Sequence, residues 1–191
     1  PIHRAIIDGE SITGVTTMHM ARGLDTGDMI LRESLEIGAN TTVGELHDSL
    51  SDMGAELLSE TVRLLDSSAA PREPQDGSLA TYASMLSRDD ERLDWNASAQ
   101  EVHNRIRGLN PWPVAFTTCD GRNIKVWRSE VMDTNTVKTP GRIEALIGDM
   151  IVVQCGIGKV ALHEVQPAGK RRMTGGEFAR GYRLESGQKL G

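Results

Sequence analysis

The sequence is poor in cysteine and contains no long hydrophobic run. Its 191 residues include two cysteines, Cys119 and Cys155, which are too few for a disulfide scaffold or a zinc site with four cysteine ligands. No apolar stretch approaches the roughly 20 residues needed to cross a bilayer, and the first residues lack the pattern of a secretory signal. We therefore expect a cytoplasmic protein with reduced thiols and no membrane segment.

A cap is also missing where the first helix should begin. Pro1 precedes a helical pattern, and proline favours the first turn of a helix, yet no capping residue stands before it. We therefore expect the chain to begin inside a domain.

Positive charge is scarce in the first third of the chain. Residues 1–66 hold four Lys and Arg against twelve Asp and Glu, and residues 67–96 hold three against six. Residues 97–191 reverse the balance with fourteen against nine, so the net charge of −6 hides an acidic front and a basic back. This asymmetry indicates separate units with separate partners.

Apolar periodicity predicts one end of an α/β domain over residues 1–66. The predicted elements are a helix over 2–8, strands over 14–20 and 29–37, and a helix that follows a Thr42–Glu45 capping box and ends by 66. Residues 67–90 are rich in Ser, Ala, Asp and Pro and predict a linker draped over the surface.

Residues 91–191 predict a second, β-rich domain. A capping box at Ser98 to Glu101 begins a helix that ends near Gly108. Glycine turns at 120–121 and 148–149 separate candidate strands; the five strands are predicted over 114–118, 123–128, 142–147, 150–155 and 159–165. Five short strands with one or two helices fit a small β-barrel of the oligonucleotide-binding type.

The sharpest local motif is the run Gly23-Leu24-Asp25-Thr26-Gly27-Asp28. It follows a predicted strand, and ligand sites in open α/β sheets gather at strand ends. A carboxylate at Asp25 could orient a histidine, bind a metal or accept hydrogen bonds from a ligand. Alternatively, Asp25 and Asp28 merely close a turn, which is a common role of Asp beside Gly. No further ligands stand at metal-binding spacing.

Basic residues cluster at Lys170, Arg171 and Arg172, and Arg105 and Arg107 on the predicted helix could extend this cluster. A positive face on a small barrel suits a phosphate backbone, whereas a solvated loop is the alternative. The three tryptophans could stack bases, but most tryptophans in small barrels lie in the core. Neither cysteine has an activating basic neighbour, so both are predicted to be packing residues.

Motifs along the whole chain together resemble the methionyl-tRNA formyltransferase family. They comprise Gly14-Val15-Thr16, Leu24-Asp25-Thr26-Gly27-Asp28-Met29, Arg92-Leu93-Asp94-Trp95, Asn110-Pro111-Trp112-Pro113, Lys125-Val126-Trp127 and Gln166-Pro167-Ala168-Gly169-Lys170. The loop around Asp25 is shared by folate-dependent formyltransferases in general. The later motifs are similar to those of the tRNA enzyme and its nearest relatives.

This resemblance implies a doubly wound, Rossmann-like formyltransferase domain whose C-terminal part is 1–66, a linker over 67–90, and an OB-like, tRNA-binding domain over 91–191. It implies formyl transfer from 10-formyltetrahydrofolate to the methionyl amino group of initiator Met-tRNA, by a monomer without a metal. Asp25 matches the catalytic aspartate, and Arg22, Gly23 and Leu24 match the segment lining the pterin pocket. The family's catalytic asparagine and histidine match no residue here, so we expect the 191 residues to be inactive alone.

Two other functions stay open from the sequence. One is a folate-dependent formyltransferase that acts on a sugar amine, and the other is a non-catalytic RNA-binding module in which Asp25 is a turn residue.

Overall fold

The computed structural model describes residues 1–191 as four α-helices, eight β-strands and two short 3-10 turns. The elements in chain order are α1 (Ile2–Ile7), β1 (Ile12–Met18), β2 (Met29–Glu36), α2 (Val43–Asp66), the 3-10 turns Gly77–Leu79 and Arg88–Glu91, α3 (Ala99–Gly108), β3 (Phe116–Cys119), β4 (Arg122–Asp133), β5 (Ile143–Ile147), β6 (Met150–Gln154), β7 (Lys159–Pro167), β8 (Met173–Thr174) and α4 (Gly175–Tyr182). None of the helices is both long and apolar enough to span a membrane.

The N-terminal part is an antiparallel β1–β2 hairpin covered by α2. The predicted capping box begins α2, because the Thr42 hydroxyl accepts from the Glu45 amide while the Glu45 carboxylate accepts from the Thr42 amide. Leu46 and Leu50 on the inner face of α2 are buried, whereas Leu58 is 56% exposed. Each residue turns the helix by about 100°, so Leu57 is buried while its neighbour Leu58 is exposed.

The C-terminal part is a six-stranded antiparallel sheet with the order β3-β4-β7-β6-β5, and β8 pairs with β7. The five predicted strands are confirmed, although β4 and β7 extend beyond their predicted ends. The strand β8 and the helix α4 that follows it have no counterpart among the predicted elements. The two outer strands of this order, β3 and β5, do not pair with each other. The sheet is therefore open at its edges and does not close into a complete barrel.

Two hydrophobic cores correspond to these two parts. The larger core holds 22 buried residues, of which 14 lie on α3, α4 and the six-stranded sheet, and the smaller core holds five residues around α2. Ile7 of α1 belongs to the larger core, so α1 reaches across to the C-terminal part. A Cβ atom at Gly108 would lie 2.8 Å from the Ile7 side chain, and glycine there lets α1 and α3 approach closely.

Direct hydrogen bonds also hold the two parts against each other. The Gly44 amide at the start of α2 donates to the Asn110 carbonyl over 3.1 Å. His103 of α3 is buried, and its Nε2 lies 3.2 Å from the Ala39 carbonyl while its Nδ1 lies 2.9 Å from the Ser129 hydroxyl. Burial lowers the pKa of His103. The neutral ring is therefore favoured at this contact.

Candidate functional site

The predicted Asp25 loop connects the two strands of the N-terminal hairpin. The His19 amide donates to the Asp28 carbonyl over 2.9 Å and closes the base of the loop. Gly27 is buried beside this hydrogen bond. A Cβ atom at position 27 would lie within bonding distance of the His19 carbonyl oxygen. The second glycine of the motif is therefore required by a close approach of two backbone segments.

The structure brings the four residues of the sequence-predicted centre together on one exposed turn. Asp25 has a φ angle of +54°, in the left-handed region that Asp tolerates better than most residues. Arg22, Gly23 and Asp25 are exposed, and the Leu24 side chain is 86% exposed. The Asp25 carboxylate forms no hydrogen bond or ion pair within the chain. It is therefore free to contact a group that is brought to the loop.

The main chain of this turn also offers unpaired polar groups. The amides and carbonyls of Arg22, Gly23 and Leu24 form no hydrogen bond with other groups of the chain. Exposed backbone donors and acceptors beside an exposed leucine can bind a flat, polar heterocycle by hydrogen bonds and apolar contact.

The segment predicted to be a surface linker is hydrogen-bonded to this loop. The amide nitrogen of the Gln75 side chain donates to the Asp25 carbonyl over 3.0 Å and to the Gly27 carbonyl over 2.7 Å. The backbones of Glu73 and Met29 exchange two hydrogen bonds, and His19 Nε2 lies 3.2 Å from the Pro71 carbonyl. Sequence reasoning missed these contacts, because nothing in a Pro-rich segment indicates which strand it lies against.

The basic residues at 170–172 lie in the loop between β7 and β8. The Arg172 guanidinium stacks on the Trp127 ring at 3.1 Å from its centroid, a cation–π contact. Arg171 forms an ion pair with Glu177 over 3.1 Å. Both arginines line a surface depression of about 340 Å³ that also contains Arg128 and His163. Glu164 and Glu177 line the same depression, so both signs of charge are present on this face.

The two helix arginines do not join this cluster, which corrects the sequence prediction. Arg107 is 6% exposed, and its guanidinium donates to the carbonyls of Gly38 and Thr41 over 3.2 and 3.1 Å. Arg107 therefore binds the N-terminal part and is unavailable to a phosphate. Arg105 is half-buried, donates to the Asp90 carbonyl and lines other depressions beside Asp94. Helical periodicity alone does not show which helix face a neighbouring unit covers.

The tryptophans and cysteines are mostly core residues, as predicted. Trp95 and Trp127 are buried and donate from Nε1 to Thr117 and Gln166, whereas Trp112 is 44% exposed. Both cysteines are buried free thiols, and burial raises the pKa of Cys119 and raises that of Cys155 to about 12. Neither thiol is therefore an activated nucleophile.

The chain contains no cluster of His, Cys, Asp or Glu suited to a metal ion.

Comparison with protein families assigns both parts of the chain. The family described as "Formyl transferase, C-terminal domain" matches residues 85–183, which is more than half of the sequence. The chain belongs to the formyl transferase family. Residues 1–62 of this formyl transferase match the family described as "Formyl transferase", so the Asp25 loop lies in that part and the basic loop lies in the C-terminal domain.

Curated relatives of this formyl transferase support the resemblance drawn from its motifs. It is 47% identical to the methionyl-tRNA formyltransferase of Heliobacterium modesticaldum and 45% identical to that of Bacillus subtilis. All of the chain is covered in both comparisons, together with 63% and 61% of the relatives. The chain thus spans a little over three-fifths of their length. The resemblance to methionyl-tRNA formyltransferases is confirmed at this level of identity.

Solved structures share the fold at much lower identity. HypX from Aquifex aeolicus in complex with tetrahydrofolic acid superposes with a TM-score of 0.70 and 14% identity, over 98% of this formyl transferase chain and 33% of HypX. The N-formyltransferase from Helicobacter canadensis, in complex with folinic acid and dTDP-3-aminofucose, gives a TM-score of 0.65 and 18% identity, over 87% and 60% of the two chains. These likenesses show a formyl transferase fold of mixed α/β structure.

Proposed function

We propose that this formyl transferase transfers a formyl group from 10-formyltetrahydrofolate to the amino group of methionine on initiator Met-tRNA. The observation that carries this proposal is the identity of 44–47% with methionyl-tRNA formyltransferases over the entire chain. The identity covers the Asp25 loop, the connecting segment and the C-terminal domain in one order. A shared domain alone would not give such continuous similarity.

We divide the protein into a C-terminal part of the formyltransferase domain over 1–66, a linker over 67–90 and a tRNA-binding domain over 91–191. The two separate cores support this division. We also propose that the C-terminal sheet is a partly open, OB-like barrel. Register shifts along β4 and one core beneath the sheet support this proposal, because bulges increase the bend and twist of strands.

Asp25 is the proposed catalytic carboxylate. Its exposed position at the tip of the hairpin and its lack of a partner in the chain leave it free to accept a hydrogen bond from a histidine. A carboxylate in that contact holds the imidazole in place and favours its charged form. The asparagine of the family would stabilise the developing oxyanion of the tetrahedral intermediate. Because neither partner matches a residue in 1–191, we expect these residues alone not to transfer the formyl group.

The folate co-substrate is proposed to contact Arg22, Gly23 and Leu24. Their unpaired amides and carbonyls suit the donors and acceptors of a pterin ring, and the exposed Leu24 side chain supplies an apolar surface. The residues present therefore fit the ligand. Their part in the reaction is to bind and orient the formyl donor beside Asp25.

The tRNA is proposed to contact the basic loop of Lys170, Arg171 and Arg172. The net charge of the C-terminal residues is positive while that of the N-terminal part is negative, so a polyanion is attracted to this end of the molecule. Arg105 lies apart from this loop and is proposed as a second phosphate contact. Arg107 is buried and is therefore not proposed as an RNA contact.

We also propose a monomer acting in the cytoplasm. Cys119 and Cys155 are both free and buried, and thiols stay reduced in that compartment. The proposal includes no metal.

The deciding experiment is transfer of a labelled formyl group to charged initiator tRNA. The 191-residue chain is assayed beside a protein of the length of the curated relatives that contains it, called the natural-length protein, and beside the Asp25→Asn variant of that protein. We expect transfer by the natural-length protein only, and loss of most turnover in the variant. Unchanged turnover of Asp25→Asn would contradict the role of its carboxylate.

The same assay separates the alternative functions. Transfer to a nucleotide-linked amino sugar but not to tRNA would identify the sugar-amine enzyme. Salt-dependent binding of tRNA without any transfer would identify an RNA-binding module.

A further inference from the structure

We propose that Gln75 is a positioning residue that fixes the main chain of the Asp25 loop for formyl transfer. The proposal rests on the proposed function of Asp25. It assigns a role in the reaction to the segment between the two parts of the protein, which the sequence predicts to be a linker.

The Gln75 side chain contacts two carbonyls of the loop, and its nitrogen also lies 3.8 Å from the Met18 sulfur. The Gln75 amide nitrogen donates to the Asp25 and Gly27 carbonyls, which flank Thr26, over 3.0 and 2.7 Å. A primary amide has two N–H donors, so both bonds can form at once. The clamp therefore spans the part of the turn in which Asp25 adopts its left-handed conformation.

The remainder of the loop has few internal restraints. The amides of residues 20–27 donate to no group of the chain, and the base of the loop is closed only by the bond from His19 to Asp28. Without the Gln75 clamp, nothing in the chain would hold the Asp25 carbonyl. Misplacing a catalytic group by about 1 Å can cost about 100-fold in rate.

Neighbouring contacts place Gln75 at this position. Glu73 and Met29 exchange backbone hydrogen bonds at the start of β2, and Arg72 forms an ion pair with Asp28 over 3.4 Å. The chain from 71 to 75 thus runs along the loop as a strap, with Gln75 at its end. Gln75 is itself exposed, so removing its amide leaves the hydrophobic cores intact.

The test uses three variants of the natural-length protein. Gln75→Leu removes both donors, and Gln75→Glu replaces them with a carboxylate. Asp76→Ala is the matched control, because the Asp76 carboxylate contacts only Ser78 within the same segment. The measurements are kcat, the KM values for folate and tRNA, and hydrogen exchange of the amides at 19–28.

We expect kcat of Gln75→Leu to fall about tenfold or more, with faster exchange at 19–28 and an unchanged melting temperature. Asp76→Ala should match the native protein. The carboxylate introduced by Gln75→Glu repels the two carbonyls when charged and can donate one hydrogen bond when protonated. Its kcat relative to the native protein should therefore rise as the pH falls from about 6 toward the ordinary glutamate pKa of about 4.3, whereas the ratio for Gln75→Leu stays flat.

Other outcomes overturn the proposal. Native kcat in Gln75→Leu, together with a strong loss in Asp25→Asn, would contradict the clamp while leaving the proposed function in place. Equal losses in Gln75→Leu and Asp76→Ala would assign the effect to the linker as a whole. Native kcat in Asp25→Asn would instead contradict the proposed function itself.

Discussion

Arg4 of α1 and Asp90 at the end of the connecting segment form a two-pronged ion pair. Arg4 Nη1 lies 2.9 Å from Asp90 Oδ1, and Nη2 lies 3.0 Å from Oδ2. Each side chain is 18% exposed, and the Ser87 amide donates to the same carboxylate. The guanidinium, followed by the Ser87 amide, lowers the pKa of Asp90 from 3.8 to about 2. The pair joins the first helix to the start of the C-terminal part.

This ion pair predicts a defined dependence of stability on pH. Because the pKa of Asp90 is lower in the folded state, its contribution is complete above about pH 4 and is lost as the pH falls through about 2. Asp90→Asn should lower the free energy of unfolding by about 1–2 kcal/mol at pH 7. It should also flatten the fall in stability between pH 4 and 2, measured by urea unfolding. Asp89→Asn, at an exposed neighbour without an ion pair, should retain the native curve.

Gly27 is predicted to tolerate no side chain. Gly27→Ala would place a methyl group against the His19 carbonyl and should force the base of the loop apart, at a cost of about 1–3 kcal/mol in the free energy of unfolding. Formyl transfer by the natural-length protein should fall with it. Gly77→Ala is the control, since its Cβ would meet no atom within 4 Å. Equal stability of the two variants in denaturant would refute the close approach.

Arg107 is predicted to stabilise the contact between the two parts. Arg107→Ala would remove the donor to the half-buried Thr41 carbonyl, whereas the Gly38 carbonyl would still accept from the Thr41 amide. Losing the hydrogen bonds of this buried, charged side chain should cost about 1–3 kcal/mol in the free energy of unfolding. Urea unfolding should show this loss, while the salt dependence of tRNA binding stays native. Arg105→Ala removes one half-exposed hydrogen bond and should cost less. If tRNA binding by Arg107→Ala depends less on salt while its stability is native, Arg107 contacts RNA and does not join the two parts.

The basic loop is predicted to contribute to tRNA affinity. Replacing Lys170, Arg171 and Arg172 together by Ala should weaken binding, because fewer phosphates are then neutralised by the protein. The slope of log K against log salt should become shallower by about 0.7–0.9 for each phosphate that is no longer neutralised. The measurement is a salt titration of binding to initiator tRNA.

Its control removes three cations elsewhere. Arg32, Arg63 and Lys138 are exposed and form surface ion pairs away from the basic loop. Replacing these three residues together by Ala changes the net charge by the same amount as the basic-loop variant. The slope of log K against log salt should change less than in that variant. If the slope of log K against log salt becomes equally shallow in both triple variants, tRNA binding depends on the net charge of the protein and not on a local contact of the basic loop.

Local chemistry is sufficient to predict three of the four helices and most strands. The capping boxes at Thr42 and Ser98 are present as predicted, because both partners lie within four residues of each other. The Asp120-Gly121 turn also forms between β3 and β4, with Asp120 and Gly121 at positive φ. The strand β8 is not predicted, since Met173–Thr174 is too short to show alternation. The helix α4 is missed although Thr174 and Glu177 form a third capping box at its start, because the two glycines between them are poor helix formers.

The site divides in the same way. Neighbouring residues favour a tight turn at Asp25, because aspartate tolerates its positive φ angle and glycine at position 27 fits beside the His19 carbonyl. The core roles of both cysteines are likewise predicted from the sequence, because neither has an activating basic neighbour. The packing of distant elements, in contrast, sets the contact of Gln75 with the Asp25 loop and turns Arg107 toward Gly38 and Thr41 instead of solvent. Those contacts join residues about 50 and 69 positions apart, and such distant pairs depend on how whole elements pack, which no local pattern of residues specifies.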